Sequence, residues 1–494
     1  MTTLEVEVIS KEIIKPSSPT PDHLRHYRYS FLDQTSLPQI YSSMVLFFQF
    51  NGQTQPNITE ISNHLKTSLA EVLTLYYPLA GRAHDNLYID CNDKGVPFLV
   101  AHVNNCKLSD MLRDPIPDEL TKLVAFELDD VDNKIPFGVQ LNVFECGGFA
   151  IGQCISHKIA DGLSMLMFSR AWAATARRAH GDQEAEILRP EFISATLFPT
   201  KLFTQTCIGV AKNKLVTKRF VFDASNIEYL RARYVGTTMK RPSRVEALSA
   251  FIWSRFVAIS KDDGIHEKFH SVIHVVNLRP RFDPPLPLHS FGNLISFACS
   301  TPSLLNTREE CYGLARQVRE AICKIDKGYI KKLQGGADHD NMTSSDGGEK
   351  VTSFFTGLCK FPLYDNDFGW GKPSWVYVRL PGLNFNNLVI FIETKDNNGI
   401  EAYITSAEEV LTKLQRDTEF LQRVYPSWIC SSPSLNHQPS PFAELQCRNR
   451  LNLIKKPSVL TFKKKKPSVL TKPVTWGAGS VRLFGLAVRV LKMK

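Results

Sequence analysis

A histidine that leaves a buried strand, with an aspartate four residues on and a glycine directly after, has the makings of an oriented general base. Ser156-His157-Lys158-Ile159-Ala160-Asp161-Gly162 has this order and follows the apolar run Phe149 to Ile155. An imidazole with a reference pKa of about 6.5 is largely neutral at cellular pH and can take a proton from a hydroxyl within hydrogen-bond reach. H-x-x-x-D alone is weak, because thirteen histidines at ordinary Asp frequency give about one such match by chance. A second segment, Asp367-Phe368-Gly369-Trp370-Gly371, adds specificity, since a given five-residue string is improbable in one chain. Its D-F-G is not the magnesium aspartate of a protein kinase: no G-x-G-x-x-G loop, V-A-I-K strand or H-R-D catalytic loop accompanies it.

Asp161 can be read as the carboxylate of a His-Asp pair or as a structural group. Residues four apart across a strand exit need not face each other, which leaves room for the structural role. Gly162 would then allow a tight turn. The following Gly162-Leu163-Ser164-Met165-Leu166 lacks the final glycine of a G-x-S-x-G elbow, so no nucleophile for covalent catalysis is evident. His266, His270 and His274 would share a face on a helix, but Phe269 to Val276 is β-like, which spaces them about 13 Å apart. His339 reads as a solvated loop residue. No metal site is expected, and eleven cysteines without a C-x-x-C pair read as reduced thiols in a cytoplasmic protein.

The elements that must position these residues follow from periodicity. Leu4 to Ser10 alternates as a half-buried strand, Tyr41 to Phe50 is a further strand, and Ile58 to Leu75 repeats apolar residues at the 3.6-residue period of an amphipathic helix. Val139 to Glu145 and the run before Ser156 are strands, and Leu163 to Arg178 is helical. In the second half, Ser243 and Glu246 form an S-x-x-E capping box ahead of a helix. Residues 266–276 read as a strand, 308–327 as a helix, 334–350 as a mobile loop, and 407–424 as a helix after strands at 387–394 and 400–404. Strands alternating with helices in two halves indicate an α/β architecture.

At 494 residues, two domains are expected. The boundaries predicted are 1–190 and 216–426, with a crossover over 191–215 and a basic tail over 427–494. The formal charge of +10 belongs to that tail, where nine Lys and four Arg face one Glu, so the body is near neutral. No nucleic-acid partner is therefore expected. The N-terminus lacks a signal-peptide pattern, and no apolar run reaches the roughly 18 residues of a membrane span.

With H-x-x-x-D-G at 157–162 and D-F-G-W-G at 367–371 in this order, the chain resembles the plant BAHD family of coenzyme A-dependent acyltransferases. Tyr77 to Arg82, Ser243 to Glu246, Asn277 to Pro280 and Ser290 to Asn293 resemble it in order and spacing, and the wording is most similar to its alkaloid and alcohol acetyltransferases. The resemblance covers about residues 1–426. It implies two chloramphenicol-acetyltransferase-like domains with a channel at their interface, and acyl-CoA, acetyl-CoA in particular, as co-substrate with no permanently bound cofactor. The acceptor would be a small hydrophobic alcohol, the enzyme a monomer and His157 the base.

The resemblance further implies an aspartate at 161 turned away to an arginine, which favours the structural role with Arg279 or Arg281 as partner, and a salt bridge from Asp367 to Arg279 that shapes the CoA channel, although a base-like role is also assumed at the position of Asp367. Ser243, Arg244, Gly369, Trp370 and Gly371 would contribute to CoA binding. N-acylation, with a longer or aromatic acyl-CoA, and a degenerate binding protein are the alternatives. The tail, with its near repeat at 455–461 and 465–471, departs from the family and reads as disordered.

Overall fold

The alternation near the N-terminus and the apolar runs at 41–50 and 149–155 become strands of one sheet. The computed structural model describes residues 3–35, 40–49, 57–126, 134–201, 215–235, 241–261, 269–300, 310–336, 350–380 and 387–424. All of them belong to one unit spanning residues 1–432. The predicted tail lies outside the described residues, as do His266, His339 and the crossover beyond Lys201.

The strands of the first half are β1 (Val6–Ile14), β2 (His26–Arg28), β3 (Tyr41–Phe48), β4 (Arg82–His84), β5 (Tyr88–Asp90), β6 (Val96–Val103), β7 (Phe137–Phe144) and β8 (Phe149–Ser156). Those of the second half are β9 (Leu215–Phe222), β10 (Phe269–Asn277), β11 (Ile295–Ser300), β12 (Lys350–Gly357), β13 (Trp375–Arg379), β14 (Asn387–Glu393) and β15 (Ile400–Ala407). One six-stranded sheet has the order β1-β6-β7-β8-β3-β13 and the other β11-β10-β12-β14-β15-β9, while β2, β5 and β4 form a small third sheet. Among the described strands, parallel pairing joins β6 with β7 and β12 with β10 and β14; the other pairs are antiparallel. The halves exchange an element, because β13 leaves the second half and pairs with β3 of the first.

Periodicity passes over β11, β12 and β13. In β12 the cause is its central position between two parallel neighbours, where a strand covered on both faces loses its alternation. The helix predicted at 308–327 forms as Glu310–Cys323 and is followed by a separate helix, Lys327–Gln334, that periodicity passes over, while the one predicted at 407–424 is split into Glu408–Leu414 and Thr418–Leu421. Each restart has its own cap: Asp326 accepts from the Tyr329 N–H and Asp417 from the Phe420 N–H.

Three features anchor the exit of β8. The helix Gly162–Ala179 packs against Ile58–Leu75, with Trp172 Nε1 donating to Ser68 Oγ at 3.1 Å. Gln153 Nε2 on β8 donates to Ser169 Oγ of the same helix at 2.9 Å. Gly152 lets β8 pass beneath Leu123, whose carbonyl oxygen would stand 1.9 Å from any added Cβ. Among the described residues, no helix is long and apolar enough to cross a membrane.

Candidate active site

β3 and β8 pair through Tyr41 and Ser156, and the ladder extends one rung further: the His157 N–H donates to the Ile40 carbonyl at 2.7 Å. On its other side the His157 carbonyl accepts from Asn293 Nδ2, also at 2.7 Å. The backbone of His157 is thus held from both sides. Its half-buried imidazole makes no hydrogen bond among the described residues. A ring free of internal partners, on a backbone that cannot drift, suits a base that must meet an external hydroxyl.

Asp161 faces elsewhere. Its carboxylate is 2% exposed and caps the helix Gly162–Ala179, with Oδ1 accepting from the Ser164 N–H at 2.8 Å. Arg279 closes on it with a two-point grip, Nη1 to Oδ2 at 2.7 Å and Nη2 to Oδ1 at 3.1 Å, and the Leu294 N–H takes the remaining side of Oδ2 at 3.1 Å. Arg279 is itself fully buried and also donates to the Ser290 and Gly292 carbonyls, Asn277 Oδ1 and Ser164 Oγ. Of the two arginines open to Asp161 from sequence, the structure selects Arg279; Arg281 donates to the Ile325 carbonyl. Asp161 and Arg279 join the two halves within the turn that follows His157.

Two expectations are corrected. The ion pair expected between Asp367 and Arg279 is not formed: the Arg279 guanidinium is spent on Asp161, while Asp367 Oδ1 accepts from the Gly369 and Gly371 N–H groups at 2.8 and 2.9 Å. Gly162, expected to enable a tight turn, is the first residue of a helix with no left-handed φ. What limits it is space, because a Cβ there would lie 3.1 Å from Leu358 Cδ2 of the second half.

The segment 367–371 is not brought to His157. Arg177, fifteen residues after Gly162 on the same helix, donates to the Asp367 carbonyl at 2.7 Å, and at 1.5 Å per residue the backbone of Arg177 stands about 22 Å from the helix start, which sets Asp367 toward the far end of the helix. Trp370 packs edge-on against Phe149, at the end of β8 remote from His157. Beside it, His64 Nε2 meets the Phe368 carbonyl at 3.3 Å, and the His64 and His180 rings lie 3.7 Å apart. Burial, and then the neighbouring His180, lower the His64 pKa. Left-handed φ angles of 108° and 88° at Gly369 and Gly371 let the loop fold back on its own aspartate.

Ser243 and Glu246 form the capping box expected of them, Glu246 Oε2 accepting from the Ser243 N–H at 2.7 Å and Ser243 Oγ from the Glu246 N–H at 3.2 Å. Arg244 is committed to Glu393 at 3.1 Å and to the Gly399 carbonyl at 3.0 Å. His270 and His274 are buried on β10, His274 stacked on Phe355 at 5.1 Å.

Sequence reasoning missed Asp33 and Lys158. Asp33 is fully buried and accepts from the Ser30 N–H and Oγ and from the Asn293 N–H and Nδ2; burial raises its pKa against the pull of those donors. Its signal was present, since Ser30 and Asp33 repeat the S-x-x-acid capping pattern of Ser243 and Glu246. Lys158 is buried and donates to the Gln34 carbonyl at 3.0 Å, and burial lowers it to about 8 despite the Asp33 carboxylate.

His157, its imidazole unpaired among the described residues and its turn locked by the buried Arg279–Asp161 pair, lies where two mixed-sheet halves meet, the two-domain arrangement that the sequence resemblance implies. The family model described as the transferase family matches residues 4–421, and the chain belongs to that family, the BAHD acyl-CoA-dependent O-acyltransferases. Limonoid 21-O-acetyltransferase of Melia azedarach is 35% identical over 434 residues, covering 86% of this chain and 99% of its own. Stemmadenine O-acetyltransferase of Catharanthus roseus is 34% identical over 422 residues, covering 84% and 97%. The crystal structure of vinorine synthase superposes with a TM-score of 0.72 at 32% identity, covering 85% of this chain and 98% of that one. A TRI101 complex with coenzyme A and T-2 reaches a TM-score of 0.63 at 17% identity over 81% and 99%, a likeness of fold.

Proposed function

We propose that this enzyme transfers an acetyl group from acetyl-CoA to a hydroxyl of a hydrophobic plant specialised metabolite, an alkaloid or a comparable polycyclic alcohol. The acceptor class is supported by the O-acetyltransferases that the chain resembles, which act on stemmadenine and on limonoids. One observation carries the mechanism: the His157 imidazole has no internal partner among the described residues while Asp161 is wholly engaged by Arg279.

His157 takes the acceptor's proton as its oxygen attacks the thioester carbonyl, then delivers that proton to the departing CoA thiolate. Thioesters are already activated, so a positioned base is the main requirement, worth roughly 10² to 10⁴ in rate. No acyl-enzyme forms. Asp161 and Arg279 hold the turn that aims the base, and Asp367 is structural. Of the residues expected at CoA, Ser243 is exposed and caps its own helix with Glu246, Arg244 is paired with Glu393, and Gly369, Trp370 and Gly371 belong to the loop at the far end of the helix. The channel runs between the halves 1–190 and 216–426, and the enzyme acts as a monomer in the cytoplasm, a reducing compartment with which its seven described free cysteines agree.

The test is thiol release from acetyl-CoA on adding a panel of alkaloid and terpenoid alcohols. His157→Ala should lose at least a hundredfold in kcat with its fold intact by circular dichroism. Equal release by both proteins would refute the assignment.

A further inference from the structure

We propose that Asp33 and Asn293 are positioning residues for acyl transfer, forming a relay from the first half through the second that fixes the backbone of His157. The inference rests on His157 being the base.

The geometry begins at Asp33 Oδ1, which accepts from both the N–H and the Nδ2 of Asn293, at 2.8 and 3.0 Å. The same Nδ2 donates to the His157 carbonyl at 2.7 Å. Both neighbours of that amide nitrogen are acceptors, so the side chain has one permitted orientation; the flipped form would set an oxygen against two oxygens. The permitted form leaves Asn293 Oδ1 buried without a partner among the described residues. A buried acceptor left unpaired calls for an explanation. The one on offer is that a donor must face His157, whatever becomes of the other end of the amide.

The rest of the network shows what is being held. Asp33 Oδ2 is fixed by the Ser30 N–H and Oγ at 2.9 and 2.6 Å, so the relay starts from a carboxylate that cannot swing. The next residue, Gln34, gives its carbonyl to Lys158. Segment 30–34 therefore grips the catalytic turn twice, directly at Lys158 and through Asn293 at His157. Gly292 must be glycine for this approach, since its φ is 131° and a Cβ would meet Ser194 Oγ at 2.7 Å. A base displaced by about 1 Å loses on the order of a hundredfold in rate, so a clamp on the histidine's own carbonyl is a lever on kcat.

The test uses the full-length enzyme with acetyl-CoA and whichever alcohol it turns over. Asn293→Asp keeps the shape but turns the donor into an acceptor facing His157. The expected result is a kcat lowered about a hundredfold with the KM for acetyl-CoA within about twofold, and no further loss when the substitution is placed in a His157→Ala background. Asp33→Asn should fall in the same direction. If Asn293→Asp does not fold, Asn293→Ser, which shortens the donor out of reach without adding charge, decides by the same kcat and KM readout. Unchanged kcat in the folded variant, or an equal fractional loss with and without His157, would overturn the relay. Full activity of His157→Ala alone would instead overturn the assignment of the base.

Discussion

Two loops of this protein are built around an aspartate, and they solve opposite problems. At the turn 156–161, Asp161 is buried with its counter-charge, every side of its carboxylate filled by Arg279, Ser164 and Leu294. At 367–371, Asp367 is half-buried and satisfied locally by two glycine N–H groups. The first aspartate ties together residues 118 apart in sequence; the second ties a loop to itself. One helix separates the two sites, capped by Asp161 at its start and reaching Asp367 through Arg177 near its end. The contrast teaches that a conspicuous sequence motif can mark a fold-stabilising corner as readily as a reacting centre.

The largest effect that would break or sharpen this contrast is at the buried pair. Asp161→Ala leaves Arg279 buried with no counter-charge, which costs about 3–5 kcal/mol. It should lower the urea midpoint strongly, while Asp161→Ala combined with Arg279→Met should cost less than the sum of the two single changes. A loss below about 1 kcal/mol for Asp161→Ala would erase the distinction between the loops.

A smaller effect concerns histidines outside the turn. His274 is buried in β10 with neither ring nitrogen paired among the described residues, and burial lowers it to about 4, against a weaker upward pull from Glu246. An unfolded histidine binds its proton near pH 6.5, so between about 6.5 and 4 the unfolded state holds the extra proton. Stability must therefore fall as the pH drops through that window, by up to about 3 kcal/mol. Urea unfolding at pH 7 and pH 5 should already show about 2 kcal/mol of that fall, and His274→Phe should flatten the difference. An unchanged pH dependence would mean that another group controls the acid limb.

Much of this was legible in the sequence, and the limits are physical. The helix Ile58–Leu75 and the strand before His157 were readable because an amphipathic face and an apolar run are local patterns. His157 could be picked out, and Asp161 could be turned away from it, but choosing Arg279 over Arg281 required knowing which guanidinium a 3-10 turn sends inward. Asp33 was passed over because its importance comes from Asn293, 260 residues away, and no local period encodes that meeting. Strand β13 was invisible for a related reason: five residues carry little pattern, and its partner β3 lies in the other half.

The smallest effect is at Asp367, and it bears most directly on the second loop. Asp367→Asn keeps an oxygen that can accept from both Gly369 and Gly371, and the Arg177 contact is to the backbone carbonyl, which the substitution leaves alone. What disappears is the charge on two hydrogen bonds at a half-exposed site, worth about 1 kcal/mol. The urea midpoint should move slightly, and kcat and the KM for acetyl-CoA should stay within about twofold, because the loop is held by Arg177 near the far end of the helix that follows His157. The salt bridge to Arg279 that the family resemblance suggested would have required a much larger loss. A hundredfold fall in kcat with an unmoved midpoint would return Asp367 to the chemistry; a small fall in the midpoint alone would confine it to holding the Trp370 corner on β8.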